Sequence, residues 1–480
     1  MKIMFFKNNR HFWLLSASLA FFLAQACEKI NVREGESAHA PTNHAQNTTE
    51  KSEKKFAKNV ILFIGDGMGV STITAARIFD GQSKGLKGEE HSLAFEDFEN
   101  LALIKTYNTN AQVPDSAGTA TAILSGYKTN IGAVNVKPNK DVRKMVLSSC
   151  VTKTAPPTLL KRAKKAGLSV GVISTARITH ATPAAMYSHS VSRDWEEKDD
   201  IDPRAAKFGC TSIASQLLKY TPDITLGGGQ SKFTDAQLKD WAQKDGHIYV
   251  SDAQSFRAAP KDNTLLGLFT PSHMSYEADR DNTKEPSLAE MTSVTIDALQ
   301  ARGTGYVIMI EAGRVDHAHH GTNAYRALRD MQALNEAVKV AMEKTGDDTL
   351  IMVTADHSHV FTIGGYPARG NPILGLVRNP DPEAGGPAKD YAKDLDGKPY
   401  TTLGYANGPN IRTADSPALT DALVQSEDYQ QQTTIRLGSE THAGEDVPLY
   451  AVGPGAHRVR GVMEQDEIAG VIDAALGLKE

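Results

Sequence analysis

Three short runs of almost unbroken apolar residues stand out along the chain: 59–64 (NVILFI), 307–310 (VIMI) and 350–354 (LIMVT). Continuous hydrophobicity at strand length, without polar alternation, is the pattern of strands covered on both faces, as in a parallel sheet. Each run leads into chemistry. Asp66 follows the first, Glu311 the second, and Asp356 with His357 the third. Residues 169–174 (SVGVIS) and 223–226 read as further strands, with 157–166 and 213–219 as intervening helices. The alternation predicts an α/β fold, with a large, mostly parallel central sheet flanked by helices on both faces. Open sheets of this kind place their sites beyond the carboxyl ends of the strands, where these acidic and imidazole residues fall.

After Glu311 the pattern turns helical. A helix beginning after Gly313 sets Asp316 and His320, spaced i, i+4, on one face of its first turn, where one metal ion could take both. Mixed nitrogen and oxygen donors suit zinc. The plainer alternative is a solvated, histidine-rich helix start capped by Asp316. Ser116, in PDSAGTATA (114–122), precedes a small-residue helix expected to stop near Gly126. There it would meet free main-chain N–H groups suited to an anion, or serve only as a helix cap.

Other stretches set the organisation. Residues 364–437 shift to Gly, Pro, Asp and Asn, the composition of a long irregular insertion near the C-terminal end, of the lid, rim or interface kind. Lys2, Lys7 and Arg10 precede an apolar run from Phe12 to Leu23 and then Ala24-Gln25-Ala26, so residues 1–26 read as a signal peptide. Cleavage there would expose Cys27, as in a lipoprotein box with Ala24 in place of the commoner Leu; lipidation would anchor the chain to a membrane. Residues 27–58 form a polar tether without the apolar content to fold, and 59–480 the main domain. The expected location is the periplasm or cell envelope.

In an oxidising compartment Cys150 and Cys210 form an even pair suited to a disulfide, the alternative being two buried thiols. With 480 residues, 40% of them hydrophobic, the chain has material for a large core. A net charge of -5 excludes a general attraction to nucleic acid or to anionic membrane.

In order, GDGMG (65–69), PDSAGTATA, THATPAA (179–185), EAGRVDHAHH (311–320), TADHSH (354–359) and ETHAGED (440–446) resemble the motifs of alkaline phosphatases, over about residues 59–461. The resemblance implies an alkaline-phosphatase-like catalytic domain that hydrolyses phosphate monoesters through a phosphoserine on Ser116, with two zinc ions and one magnesium ion. Asp316, His320 and His442 match the ligands of the first zinc. Asp66, Asp356 and His357 match those of the second, with Ser116 as its fourth ligand in the free enzyme. Asp66 would also bridge to magnesium, completed by Thr182 and Glu311. Arg193 matches the arginine that grips phosphate, and Asp115 the carboxylate that helps hold it. His180 and His317 fall where some bacterial relatives carry Asp and Lys, which implies a reach to metal-bound water or phosphate. His319 and His359 are left outside the direct ligand set. Cys150 and Cys210 match a family disulfide, and relatives are usually homodimers.

Thr270 follows Gly267-Leu268-Phe269 where animal relatives have an acidic calcium ligand, so no calcium is expected. The nearest alternative is a phosphodiesterase or nucleotide pyrophosphatase of the same superfamily. Those relatives generally lack the magnesium site and this arginine, so Glu311, Thr182 and Arg193 speak against it. A sulfatase would need x-Pro-x-Arg after its nucleophile, whereas Ser116 is followed by Ala-Gly-Thr-Ala. A non-enzymatic exported phosphate or zinc binder would need no serine among metal ligands.

Overall fold

The structure, a computed structural model, describes residues 56–151 and 155–478; the expected signal peptide, Cys27 and most of the tether lie outside the described residues. In chain order the strands begin with β1 (Asn59–Gly65), β2 (Asn100–Lys105), β3 (Ser169–Arg177), β4 (Ile224–Gly228) and β5 (His247–Val250). There follow β6 (Thr264–Leu268), β7 (Tyr306–Ala312), β8 (Thr349–Ala355), β9 (Ser358–His359) and β10 (Phe361–Ile363). Last come β11 (Leu403–Gly408), β12 (Thr433–Arg436), β13 (His442–Ala443), β14 (Val447–Val452) and β15 (Gly461–Glu464).

Ten of them make one sheet in the order β15-β2-β14-β8-β1-β7-β3-β4-β6-β5. From β8 to β5 every neighbouring pair is parallel. β14 runs antiparallel to both β8 and β2, and β15 lies parallel to β2. The three apolar runs fall in β1, β7 and β8, which are neighbours at the centre and buried at every residue. Removing a Val, Leu, Ile or Phe side chain from water contributes about 1.5–3 kcal/mol, so these strands are the energetic middle of the molecule.

Register then decides where the chemistry goes. Gly65 pairs with Ala312 on one side and Ala355 on the other, so Asp66 and Asp356 leave the sheet side by side with Glu311 two residues below, opposite Ile64. Helices flank the sheet in two sets. Leu288–Ala301 and Ala324–Lys344 pack on each other and on β7, while Ser116–Ser125 packs with Glu467–Leu476, which also touches β1.

The segment 364–437 is not wholly irregular. It supplies β11 and β12, which join β10 in a three-stranded sheet, a short helix at Asp421–Val424, and a small apolar cluster of Leu376, Leu419, Val424 and Tyr429. The end of the tether is docked as well: the Ala57 N–H donates to the Ala475 carbonyl at 2.8 Å. Cys150 and Cys210 form a disulfide across a sequence separation of 60. In the chain-entropy model a loop of that size is worth about 4 kcal/mol.

Candidate active site

Ser116 opens the Ser116–Ser125 helix, and it does not cap it. Asp115 is the cap, with Oδ1 accepting the Gly118 N–H at 3.1 Å, and Gly126 ends the helix in the left-handed conformation. The Ser116 hydroxyl is therefore released from capping. Its Oγ lies 3.1 Å from His357 Nε2 and 3.5 Å from Asp66 Oδ1. The other oxygen of Asp115 accepts from the Gly132 N–H at 3.0 Å and from Arg193 Nη1 at 3.1 Å, which ties the arginine to the helix start.

Two groups of metal-ligand type meet near this hydroxyl. The strand-end group is Asp66, Asp356 and His357, whose ligand atoms lie within 4.8 Å of one another. Asp356 is held from several sides: Oδ1 accepts the Gly67 N–H at 3.1 Å, Oδ2 accepts Thr119 Oγ1 at 3.2 Å, and its carbonyl accepts Gln465 Nε2 at 2.6 Å. Gly67 has φ +71°, and a Cβ there would stand 2.3 Å from the His359 ring, so this turn admits only glycine.

The second group is borne on the Arg314–His320 helix. It begins where the sequence predicts, but Gly313 occupies the cap position, so the alternative of Asp316 as a cap does not hold. Asp316 Oδ1 lies 3.4 Å from His320 Nε2 and 3.3 Å from His442 Nε2. His442 arrives on β13, which pairs with β9 so that His442 stands opposite His359.

A third arrangement lies below. Asp66, Glu311 and His180 have ligand atoms within 4.8 Å of one another, and Thr182 sits in the Ala181–Ala184 helix that follows His180. Asp66 Oδ2, Glu311 Oε1 and Thr182 Oγ1 are all buried without a hydrogen-bond partner. Three orphaned oxygens at one place cost free energy unless something positive joins them. Electrostatics point the same way. Burial, reinforced by Asp316, Asp356 and Glu311, pushes the Asp66 carboxyl well above its ordinary range. Burial likewise pushes Glu311 up to about 7, against the hydroxyl of Ser174. The donor set fits a bound cation.

Two residues outside the expected ligand set are drawn in. His359 Nε2 lies 2.8 Å from Asp316 Oδ1, and its Nδ1 lies 2.6 Å from Glu440 Oε2. Burial opposes its charge, but the two carboxylates win and raise it to about 9. Burial also works against the Asp316 charge, yet the bonds from His359 and His442 hold that carboxyl well below its usual value. Glu440 does more: its Oε1 accepts the Val360 N–H at 2.9 Å, and its carbonyl lies 2.8 Å from His320 Nδ1, which orients that ring. The sequence held one signal for Glu440, since it stands two residues before His442 and side chains two apart share a face in extended chain. His319, also left outside the ligand set, is buried between Thr72 Oγ1 at 3.0 Å and Tyr405 Oη at 2.8 Å.

His180 and His317 lie together with His273, which the sequence did not single out. Ring centroids are 5.3 Å apart for His180 and His273, 4.1 Å for His273 and His317, and 5.6 Å for His180 and His317. Arg193 Nη2 lies 2.9 Å from His180 Nε2.

The chain was also compared with known proteins. A family model described as alkaline phosphatase matches residues 57–478. The tissue-nonspecific isozyme of alkaline phosphatase from Gallus gallus is 40% identical, covering 95% of this chain and 92% of its own. The Homo sapiens isozyme is 40% identical over 88% of this chain and 84% of its own, and an alkaline phosphatase of Gadus morhua 38% identical over 88% and 94%. Among solved structures, alkaline phosphatases from Thermus thermophilus and from a Shewanella species superpose with TM-scores of 0.60 and 0.62 at 24% and 23% identity. They cover 92% and 87% of this chain and 96% and 99% of theirs. At that identity they speak for the fold alone. The family model and the animal relatives, each spanning most of the chain, place it in the alkaline phosphatase family, as a metal-dependent phosphomonoesterase.

Proposed function

We propose that this enzyme acts through a covalent phosphoserine on Ser116, with two zinc ions and one magnesium ion, as an exported protein. The observation that carries the reading is the Ser116 hydroxyl, free of capping duty, at 3.1 Å from His357 and 3.5 Å from Asp66, within the strand-end group whose His357 ring stacks on that of His442 at 3.6 Å. Asp66, Asp356 and His357 would hold one zinc, and Asp316, His320 and His442 the other. Asp66, Thr182 and Glu311 offer the hard oxygen donors that magnesium prefers. When bound, these ions supply Lewis-acid stabilisation of charge and favour ionisation of a coordinated hydroxyl.

The residues of the chain do the rest. Ser116 stands at a helix start, where free main-chain N–H groups and the helix dipole favour an anionic phosphoryl group. The bond from its Oγ to phosphorus forms as the ester P–O bond breaks and the alcohol departs. Water then cleaves the phosphoserine, returning the hydroxyl and releasing phosphate. Arg193, held by Asp115, has a planar fork that fits two non-bridging oxygens at once. A guanidinium only donates, so His180 accepts at Nε2 and its neutral ring carries the proton on Nδ1. Nδ1 is buried without a protein partner, and with a proton on it the ring donates there and does not ligate. This supports Thr182 over His180 as the third donor beside Asp66 and Glu311. The same residues, with Arg193, disfavour a diesterase.

Ser116→Ala should keep its metal content while losing the phosphoprotein trapped from substrate at acid pH. Phosphate trapped on a different residue of the wild type would refute the serine assignment. Export and acylation of Cys27 belong to the same proposal, and mass spectrometry of the mature N-terminus decides them. Among the described residues no helix is long and apolar enough to cross a membrane. A homodimer is the assembly proposed, checked by sedimentation.

A further inference from the structure

Arg314 belongs to none of the groups above, yet it sits at the first position of the helix that carries Asp316 and His320. Its placement is over-determined. The Arg314 N–H donates to Thr175 Oγ1 at 3.2 Å, and the guanidinium carbon lies 3.7 Å from the centroid of the Tyr276 ring. From that position Nη1 reaches His317 Nδ1 at 3.1 Å. No carboxylate lies within ion-pair distance of this guanidinium among the described residues.

The contact has only one chemically sensible form. Guanidinium has five N–H donors and no acceptor, so His317 Nδ1 must present its lone pair. A doubly protonated ring would set N–H against N–H and cation against cation at 3.1 Å. The ring is therefore neutral, with its proton on Nε2. That nitrogen lies 4.0 Å from Asp316 Oδ2, too far for a hydrogen bond. Asp316 meanwhile uses Oδ1 for His320, His359 and His442. The Nε2–H is left as an uncommitted donor beside the helix-borne group, with His273 packed against the ring at 4.1 Å.

We propose that Arg314 is a positioning residue. It fixes His317 as the Nε2–H tautomer, so that the ring offers a hydrogen bond to a phosphate oxygen or to a water that holds one. Without the arginine the neutral ring could carry its proton on either nitrogen, and the form protonated on Nδ1 would turn a lone pair toward the anion. This rests on the phosphomonoesterase site argued above. Arg314 acts through His317 and need not touch substrate.

The test is histidine-selective 15N NMR of the metal-loaded enzyme, with the His317 resonances assigned by their loss in His317→Asn. The wild type should show a neutral Nε2–H ring. Arg314→Met should mix the tautomers and raise the inhibition constant of inorganic phosphate on the order of 10-fold, the worth of one hydrogen bond to a charged group. Arg314→Lys, which also only donates, should restore both. A wild-type ring protonated on Nδ1 or on both nitrogens overturns the inference, as does an unchanged tautomer in a folded Arg314→Met. Failure to trap phosphate on Ser116 would tell against the serine reading instead, and the tautomer decides the role of Arg314 in either case.

Discussion

The two ligand groups that meet at Ser116 are built in different ways. Asp66, Asp356 and His357 stand at the ends of β1 and β8, each at 0% exposure, and their spacing is inherited from strand register. Asp316, His320 and His442 come from a seven-residue helix and a two-residue strand, and the His320 side chain is 33% exposed. The strand-end group is a consequence of the core and has nowhere to relax. The helix-borne group is held by hydrogen bonds through His359 and Glu440, and at His320 it opens toward water. One group should tolerate loss badly, and the other should yield to a substitute ligand.

The largest effect is expected at the strand end. Asp356→Asn should lower kcat/KM on the order of 10³-fold, about 4 kcal/mol of lost charge stabilisation, and added zinc should not restore it. Steady-state rates with metal analysis check this. His320→Ala should cost on the order of 10²-fold at limiting zinc and recover as free zinc rises, because water can occupy the place of a side chain that is 33% exposed. Equal recovery of the two variants in a zinc titration would erase the distinction.

The smallest effect separates burial from site chemistry. Asp330 is buried on the Ala324–Lys344 helix, where its Oδ2 accepts the Glu277 N–H at 3.2 Å. Burial pushes it up to about 8, against the charge of Arg314. Its unfolded value is about 3.9, so between those values the native state keeps a proton that the unfolded chain has released. Stability from this residue is therefore lost as pH rises from about 4 to about 8 and is level above that. Asp330→Asn should raise Tm more at about pH 9 than at about pH 5, by a few degrees. An equal gain at both would mean that the carboxyl is not protonated in the fold.

How much of this was legible in the chain follows from the same contrast. β1, β7 and β8 announce themselves because strands covered on both faces need apolar residues at every position, and the acids behind them fall at one edge by topology. β2 does not, since a strand near an edge mixes exposed and buried positions, and in β14 Pro448 weakens the strand signal. Within 364–437 the turn-rich composition hid β11 and β12, whose partners lie far off in sequence. The bond from His359 to Glu440 spans 81 residues, and nothing local marks either side chain for the other. The i, i+4 pair of Asp316 and His320 was readable because helical geometry is local. Motif resemblance supplied the convergence on Ser116, which spacing alone could not.

The pairing of β9 with β13 also carries a consequence for the timing of synthesis. Until residue 442 has been made, the helix-borne group lacks an imidazole and Glu440 has only just been made to face His359. A nascent or prematurely ended chain can thus lay down the central strands and the Ser116 helix while remaining unable to complete its catalytic centre. On this reading, hydrolysis waits for the segment that carries His442.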